Sequence, residues 1–161
     1  MTDIDVDSSA APGSPERTAD EPAPEYAHPL LENDFASEWM GIEVVRVADG
    51  HATITMTLRR EMLNGFGIAH GGMIFAFADT AFALSCNPHT GSADSMTVAA
   101  GVDITFLKPG IPGRTLTAVA DRRQQAGRSG LYDIQILQSV PGADDEVIAE
   151  FRGRSRTVPR R

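Results

Sequence analysis

One segment constrains the fold more than any other. Asn64-Gly65-Phe66-Gly67-Ile68-Ala69-His70-Gly71-Gly72 is a glycine-rich turn, and Met73-Ile74-Phe75-Ala76-Phe77-Ala78-Asp79-Thr80-Ala81-Phe82-Ala83 follows it. The second part predicts a helix over roughly Gly72 to Ser85. Apolar residues occupy every side of that helix, which marks it as buried rather than amphipathic. Cover on all sides is supplied by a strongly curved sheet wrapped around the helix and completed by a second copy of the chain. The helix carries one charge near its middle, Asp79. An ionised carboxylate in such surroundings costs free energy unless it is paired or used. At the helix N-terminus, His70-Gly71-Gly72 offers backbone N–H groups where negative charge is favoured. A donor for an oxyanion, and a carboxylate that attacks or activates water, are the expected chemistry.

The remaining segments read as strands. Ile42 to Val47, an Asp49-Gly50 turn and His51 to Leu58 form a hairpin. Ala52, Ile54, Met56 and Leu58 alternate with His51, Thr53, Thr55 and Thr57, the period of a half-buried strand. After a polar loop, Thr97 to Leu107 is expected to bury Val102, Ile104 and Phe106. Thr115 to Arg123 alternates Leu116, Ala118 and Ala120, and the next segment alternates Tyr132, Ile134 and Ile136. Pro141 to Glu146 is read as a turn, and Val147 to Val158 closes an antiparallel meander. Upstream, Leu31, Phe35 and Trp39 fall four apart, predicting a short helix that packs on the domain and ends at Gly41. The fold class is α+β, one helix wrapped by a curved antiparallel sheet.

Composition narrows the function. Residues 1–26 hold Asp3, Asp5, Asp7, Glu16, Asp20, Glu21 and Glu25 against Arg17 alone, with several prolines and few large apolar residues. Such a segment reads as a disordered acidic tail and not as a signal peptide, leaving 27–161 as the folded domain. Of the net charge of −8, the tail holds −6. The domain is thus nearly neutral, which argues against a nucleic-acid partner. Cys86 is the single cysteine, expected as a small buried hydrophobe, so neither a disulfide framework nor a thiolate metal cluster is expected. No apolar run spans a bilayer, and a cytoplasmic protein without a membrane partner is the simplest reading.

Helix geometry adds a constraint. Gly71 and Asp79 lie eight positions apart, about 12 Å along a helix axis. An oxyanion donor and a nucleophile must both come within about 3–3.5 Å of the reacting carbonyl. One helix cannot bring both groups to one carbonyl, whereas two antiparallel copies can. A homodimer with two composite sites follows.

These motifs resemble the hotdog-fold acyl-CoA thioesterases of the phenylacetic acid degradation type. The resemblance rests on Asn64-Gly65, His70-Gly71-Gly72, Asp79-Thr80-Ala81-Phe82-Ala83, Asp103 to Pro109, Gly130 to Ile134 and Phe151-Arg152-Gly153. It covers roughly residues 33 to 158. It implies hydrolysis of an acyl-CoA thioester, often an aryl-acetyl one, without metal or cofactor, by a homodimer whose dimers pair into a tetramer. It also implies that Asp79 is the nucleophile or general base, that Gly71 donates its N–H to the thioester oxygen, and that Asn64 orients the site. Some relatives carry a Ser or Thr where this chain has Ala99, and the loop after the helix is a few residues longer here.

Each residue also has a plainer reading. Asp79 could be a carboxylate satisfied by local donors, and Asn64-Gly65 could simply turn the chain. Gly72, like Gly71, could serve close packing at the helix start. His70 could be a general acid, as in hotdog dehydratases, but the preferred reading is a hydrogen bond that holds the turn. Phe75, Phe82 and Thr80 are expected at the substrate, although phenylalanines of such a helix are mostly core. CoA phosphates call for Arg60 and Arg128, with Arg154 and Arg156 as further candidates, each equally readable as a solvated charge. A non-catalytic acyl-CoA sensing module is the alternative from a different class.

Overall fold

The structure, a computed structural model, describes residues 28–160. The acidic tail expected over residues 1–26 lies outside the described residues. A 3-10 turn, Pro29–Leu31, precedes α1 (Phe35–Met40), and β1 (Glu43–Ala48) and β2 (His51–Thr57) follow. A second 3-10 turn, Arg60–Met62, and the glycine loop lead into α2 (Gly71–Cys86). Four long strands complete the chain: β3 (Ser95–Phe106), β4 (Thr115–Ala126), β5 (Ser129–Val140) and β6 (Ala143–Pro159). All six strands form one antiparallel sheet in the order β1-β2-β4-β5-β6-β3, and α2 touches every strand.

The expected alternations place the core. Ala52, Ile54 and Met56 of β2, Leu116, Ala118 and Ala120 of β4, and Tyr132, Ile134 and Ile136 of β5 are buried against α2. Burial of such side chains is the main stabilising term, at about 1.5–3 kcal/mol for each large one. Close backbone approach matters at Gly153 of β6, where a Cβ would lie 2.7 Å from the ring of Phe82.

Three expectations are corrected. The first concerns the strand order: β3 does not join a sequential meander but crosses to the far edge beside β6, with Ser95 opposite Pro159 and Phe106 opposite Ala149. With a neighbour on one side only, β3 covers its inward face incompletely. Val102 and Ile104 are half-buried, and Phe106 is 50% exposed instead of buried.

The second concerns the stripe Leu31, Phe35, Trp39. The backbone breaks at Asn33, whose φ is +61°, and the helix restarts from Asp34, whose carboxylate accepts the Ser37 N–H at 3.1 Å. That restart turns Ser37 and Met40 inward and leaves Phe35 72% and Trp39 50% exposed.

Within one protomer the sheet covers α2 on one side. Ile74, Phe77, Ala78, Ala81, Phe82, Leu84 and Ser85 are buried, whereas Gly72, Met73, Ala76, Asp79, Thr80 and Ala83 keep exposure along the other side. The third correction is that the last turn is shorter than Pro141 to Glu146, because β6 already begins at Ala143.

Candidate active site

The glycine loop is held from both ends. His70 donates its backbone N–H to the Met62 carbonyl at 2.8 Å, and Ala69 donates to the Gly110 carbonyl at 2.9 Å. Gly110 must be a glycine, since a Cβ there would lie 2.6 Å from that of Ala69. Buried Gln138 fixes the same turn, accepting the Ile111 N–H through Oε1 at 3.0 Å and donating through Nε2 to Glu146 at 2.6 Å. Sequence reasoning missed Gln138, because its polar side chain sits in a strand whose pattern speaks only of apolar faces.

His70 is the N-cap of α2, and its Nδ1 accepts the Gly72 N–H at 3.0 Å. The Gly71 N–H has no acceptor among the described residues. It stands at the positive end of a helix of 16 residues, where an anionic oxygen is favoured. Beside it opens a cavity of about 510 Å³, lined among others by Asn64, Ile74 and Phe106.

Asp79 lies on the open side of α2, two turns from Gly71. It has no hydrogen bond or ion pair among the described residues, and burial alone pushes its carboxyl above the ordinary value. No local donor satisfies it, so the plainer reading of a capped helix carboxylate does not describe this geometry. Burial also pushes the Cys86 thiol up to about 12, which keeps it protonated and a poor nucleophile at neutral pH.

The other expected residues fall in several places. Asn64 lines the cavity, but its Oδ1 also accepts the Phe66 N–H at 2.9 Å, closing the loop as an Asx turn. The Thr80 hydroxyl donates to the Ala76 carbonyl at 3.2 Å and lies 3.3 Å from Ser37 Oγ, which itself donates to Asp34 at 2.7 Å. Thr80 thus ties α1 to α2 one residue past Asp79. Phe82 is 1% exposed and packs against Tyr132 and Phe151, so it belongs to the core of the protomer. Phe75 is half-buried with its ring edge-on to Phe151 at 5.5 Å.

Arg60 is exposed in the 3-10 turn before the glycine loop. Arg128 is exposed in the β4–β5 turn, and Arg156 opposes Ser129 next to it. Within one protomer Arg128 and Arg156 do not approach Gly71: Arg156 lies seven residues along β6 from the partner of Phe106, about 23 Å away. Arg154 pairs with Asp103 at 2.6 Å on the outer face. Ala99 is exposed beside a bulge in β3.

Two further histidines lie in local hydrogen-bond networks. His28 is buried, with Nδ1 accepting the Leu30 N–H at 3.1 Å, and burial lowers its pKa. His51 lies between Asp121 at 2.7 Å and Thr53 Oγ1 at 3.0 Å, on the face of β2 turned away from α2. Among the described residues no group of three His, Cys, Asp or Glu side chains is placed to hold a metal ion. No helix there is long and apolar enough to cross a membrane.

Comparison with known proteins decides the family. Residues 66–142 match the thioesterase superfamily. The acyl-coenzyme A thioesterase PaaI of Escherichia coli is 41% identical over 132 residues, covering 82% of this chain and 89% of that one. The chain belongs to the thioesterase superfamily. It is a thioester hydrolase of the hotdog fold. The structure of the E. coli PaaI protein from the phenylacetic acid degradation operon superposes with a TM-score of 0.72 at 40% identity, covering 80% of this chain and 88% of that one. A mutant of phenylacetic acid degradation protein PaaI from Thermus thermophilus superposes with a TM-score of 0.67 at 28% identity, covering 76% and 98%.

Proposed function

We propose that this thioesterase hydrolyses acyl-CoA esters, with an aryl-acetyl or medium-chain acyl group, to the free acid and CoA. In this reading the Gly71 N–H receives the thioester oxygen and stabilises the tetrahedral intermediate. Asp79 either attacks the carbonyl or takes a proton from the attacking water. The observation that carries the reading is the pair of unsatisfied groups on one side of α2: a free N–H at its first residue and an unpaired, half-buried carboxylate at its ninth.

The two groups lie about 12 Å apart along the helix axis, so one protomer cannot apply both to one carbonyl. A homodimer resolves this, with Gly71 of one chain facing Asp79 of its partner. Two features support such pairing: the open side of α2, rich in small residues, and the unpaired edge of β3 with Met96, Val98 and Phe106 exposed. An exposed edge and apolar surface of this kind favour association. His70 supports the turn in this scheme, since its Nδ1 is already an acceptor for Gly72. That speaks against a dehydratase in which the ring does the acid–base work.

The test is release of free CoA, followed with a thiol reagent, from phenylacetyl-CoA, hydroxyphenylacetyl-CoA, benzoyl-CoA and hexanoyl-CoA. Wild type turns over at least one, and Asp79→Ala loses about two orders of magnitude or more while keeping its oligomeric state. Tight binding without turnover would instead make the protein an acyl-CoA sensing module. Full activity in a monomer would end the two-chain mechanism.

A further inference from the structure

The ring of Phe106 touches the residue that offers the free N–H. A Cβ added at Gly71 would lie 3.2 Å from Phe106 Cζ, closer than a comfortable contact. The φ of Gly71 is not in the left-handed region, so no backbone strain demands glycine here. Its missing side chain instead makes room for the ring. Phe106 ends the edge strand β3 and is 50% exposed in the protomer, so it is not part of the protomer's core.

The cavity beside Gly71 is mostly apolar, its walls supplied by Ile68, Ala69, Ile74, Phe106, Leu107 and Pro109. A thioester carbonyl seated on the Gly71 N–H has two arms. The pantetheine arm carries two amides that need polar partners, whereas an acyl arm needs none. Chemistry therefore directs the acyl arm into this cavity, and the first acyl atoms past the carbonyl fall beside the Phe106 ring.

We infer that Phe106 is a specificity-determining residue whose ring limits the width of the acyl group at the carbon next to the thioester carbonyl. This rests on the thioesterase reading of the Gly71 site. The ring admits an unbranched CH₂ there and excludes a substituent. A ring rather than a flexible aliphatic chain makes that limit firm, because a phenyl cannot shorten by rotating a bond.

The test compares phenylacetyl-CoA with 2-phenylpropionyl-CoA, which differ by one methyl at that carbon. Steady-state kcat and KM are measured for wild type, Phe106→Leu and Phe106→Ala, with circular dichroism to check the fold. The ratio of kcat/KM for the branched over the unbranched ester rises about tenfold or more in Phe106→Ala, the size expected for one methyl in an apolar pocket. In Phe106→Leu it rises by less. Equal losses on both esters, or an unchanged ratio, overturn the assignment while leaving the thioesterase reading intact. Wild type inactive on every CoA ester removes the thioesterase reading and this assignment with it.

Discussion

The His70 ring and the Gly72 N–H are joined through Nδ1 at 3.0 Å, so the ring's acceptor nitrogen is committed to capping α2. His70→Ala removes that cap and lowers stability by about 1 kcal/mol. His70→Asn supplies another acceptor at the same position, restores the stability and keeps hydrolysis within about tenfold of wild type. Urea unfolding and initial rates of CoA release check both. An Asn variant that folds normally but is inactive would move the acid–base role onto the ring.

In the proposed mechanism Asp79 links catalysis to the pH dependence of stability. Burial raises its carboxyl above 3.8 in the folded chain, so between 3.8 and that raised value the folded chain holds more proton than the unfolded one. This contribution favours folding at low pH and is lost as pH rises through the folded value. Asp49, Asp133 and Glu146 act in the opposite sense, held low by Arg122, Arg152 and Lys108. The informative quantity is therefore a difference. Asp79→Asn gains stability relative to wild type as pH rises from 3 to 7, while losing about two orders of magnitude in activity. Parallel unfolding curves at every pH would show that the carboxylate is better satisfied than its surroundings imply.

Gly71→Pro tests the donor. His70 has ψ 129°, the extended conformation that a residue before proline prefers, and proline is well suited to a first helical position. A Cβ at Gly71 would lie 3.2 Å from Phe106 Cζ, which a shift of a few tenths of an ångström relieves without displacing the ring. The fold therefore survives the loss of the N–H, and kcat falls about 10²–10³-fold. Helical circular dichroism near wild type together with undiminished kcat would assign the oxyanion elsewhere.

Gly110→Ala probes how the glycine loop is supported. Its Cβ would meet that of Ala69 at 2.6 Å, so the two turns must separate. Overpacking of this kind costs about 1–3 kcal/mol. Thermal unfolding measures the cost. Activity falls as well, because the loop that carries Gly71 is moved.

Much of this was legible in the sequence, for reasons that differ by element. Asp49-Gly50 marked the β1–β2 hairpin because that turn needs a glycine with positive φ, and Gly50 has φ +72°. The strands β2, β4 and β5 were legible because alternation follows directly from side chains pointing to opposite faces. The same rule misplaced Phe106: alternation says which face a residue takes, but not whether anything covers that face. Coverage depends on the crossover of β3, which no local pattern encodes. Phe35 and Trp39 failed for a related reason, since spacing by four describes one continuous helix and Asn33 interrupts it. At the site, Gly71 and Asp79 stood out because glycine and carboxylate are unusual in an apolar helix. Gln138 and Ser37 did not, because a buried polar residue looks like an exposed one until its partners are placed.

The route of β3 also sets an order of events. Residues through Phe106 leave the ribosome well before Pro159, and at about 5–20 residues per second the interval is roughly 3–10 s. During it β3 lacks the strand it pairs with, since its register runs from Ser95 opposite Pro159 to Phe106 opposite Ala149. The helix that carries Gly71 and Asp79 is synthesised early, whereas the wall formed by Phe106 is fixed only after β6 arrives. A nascent chain therefore holds the segment of Gly71 and Asp79 before it holds the strand that fixes Phe106, and translation through β6 is what completes that wall of the cavity.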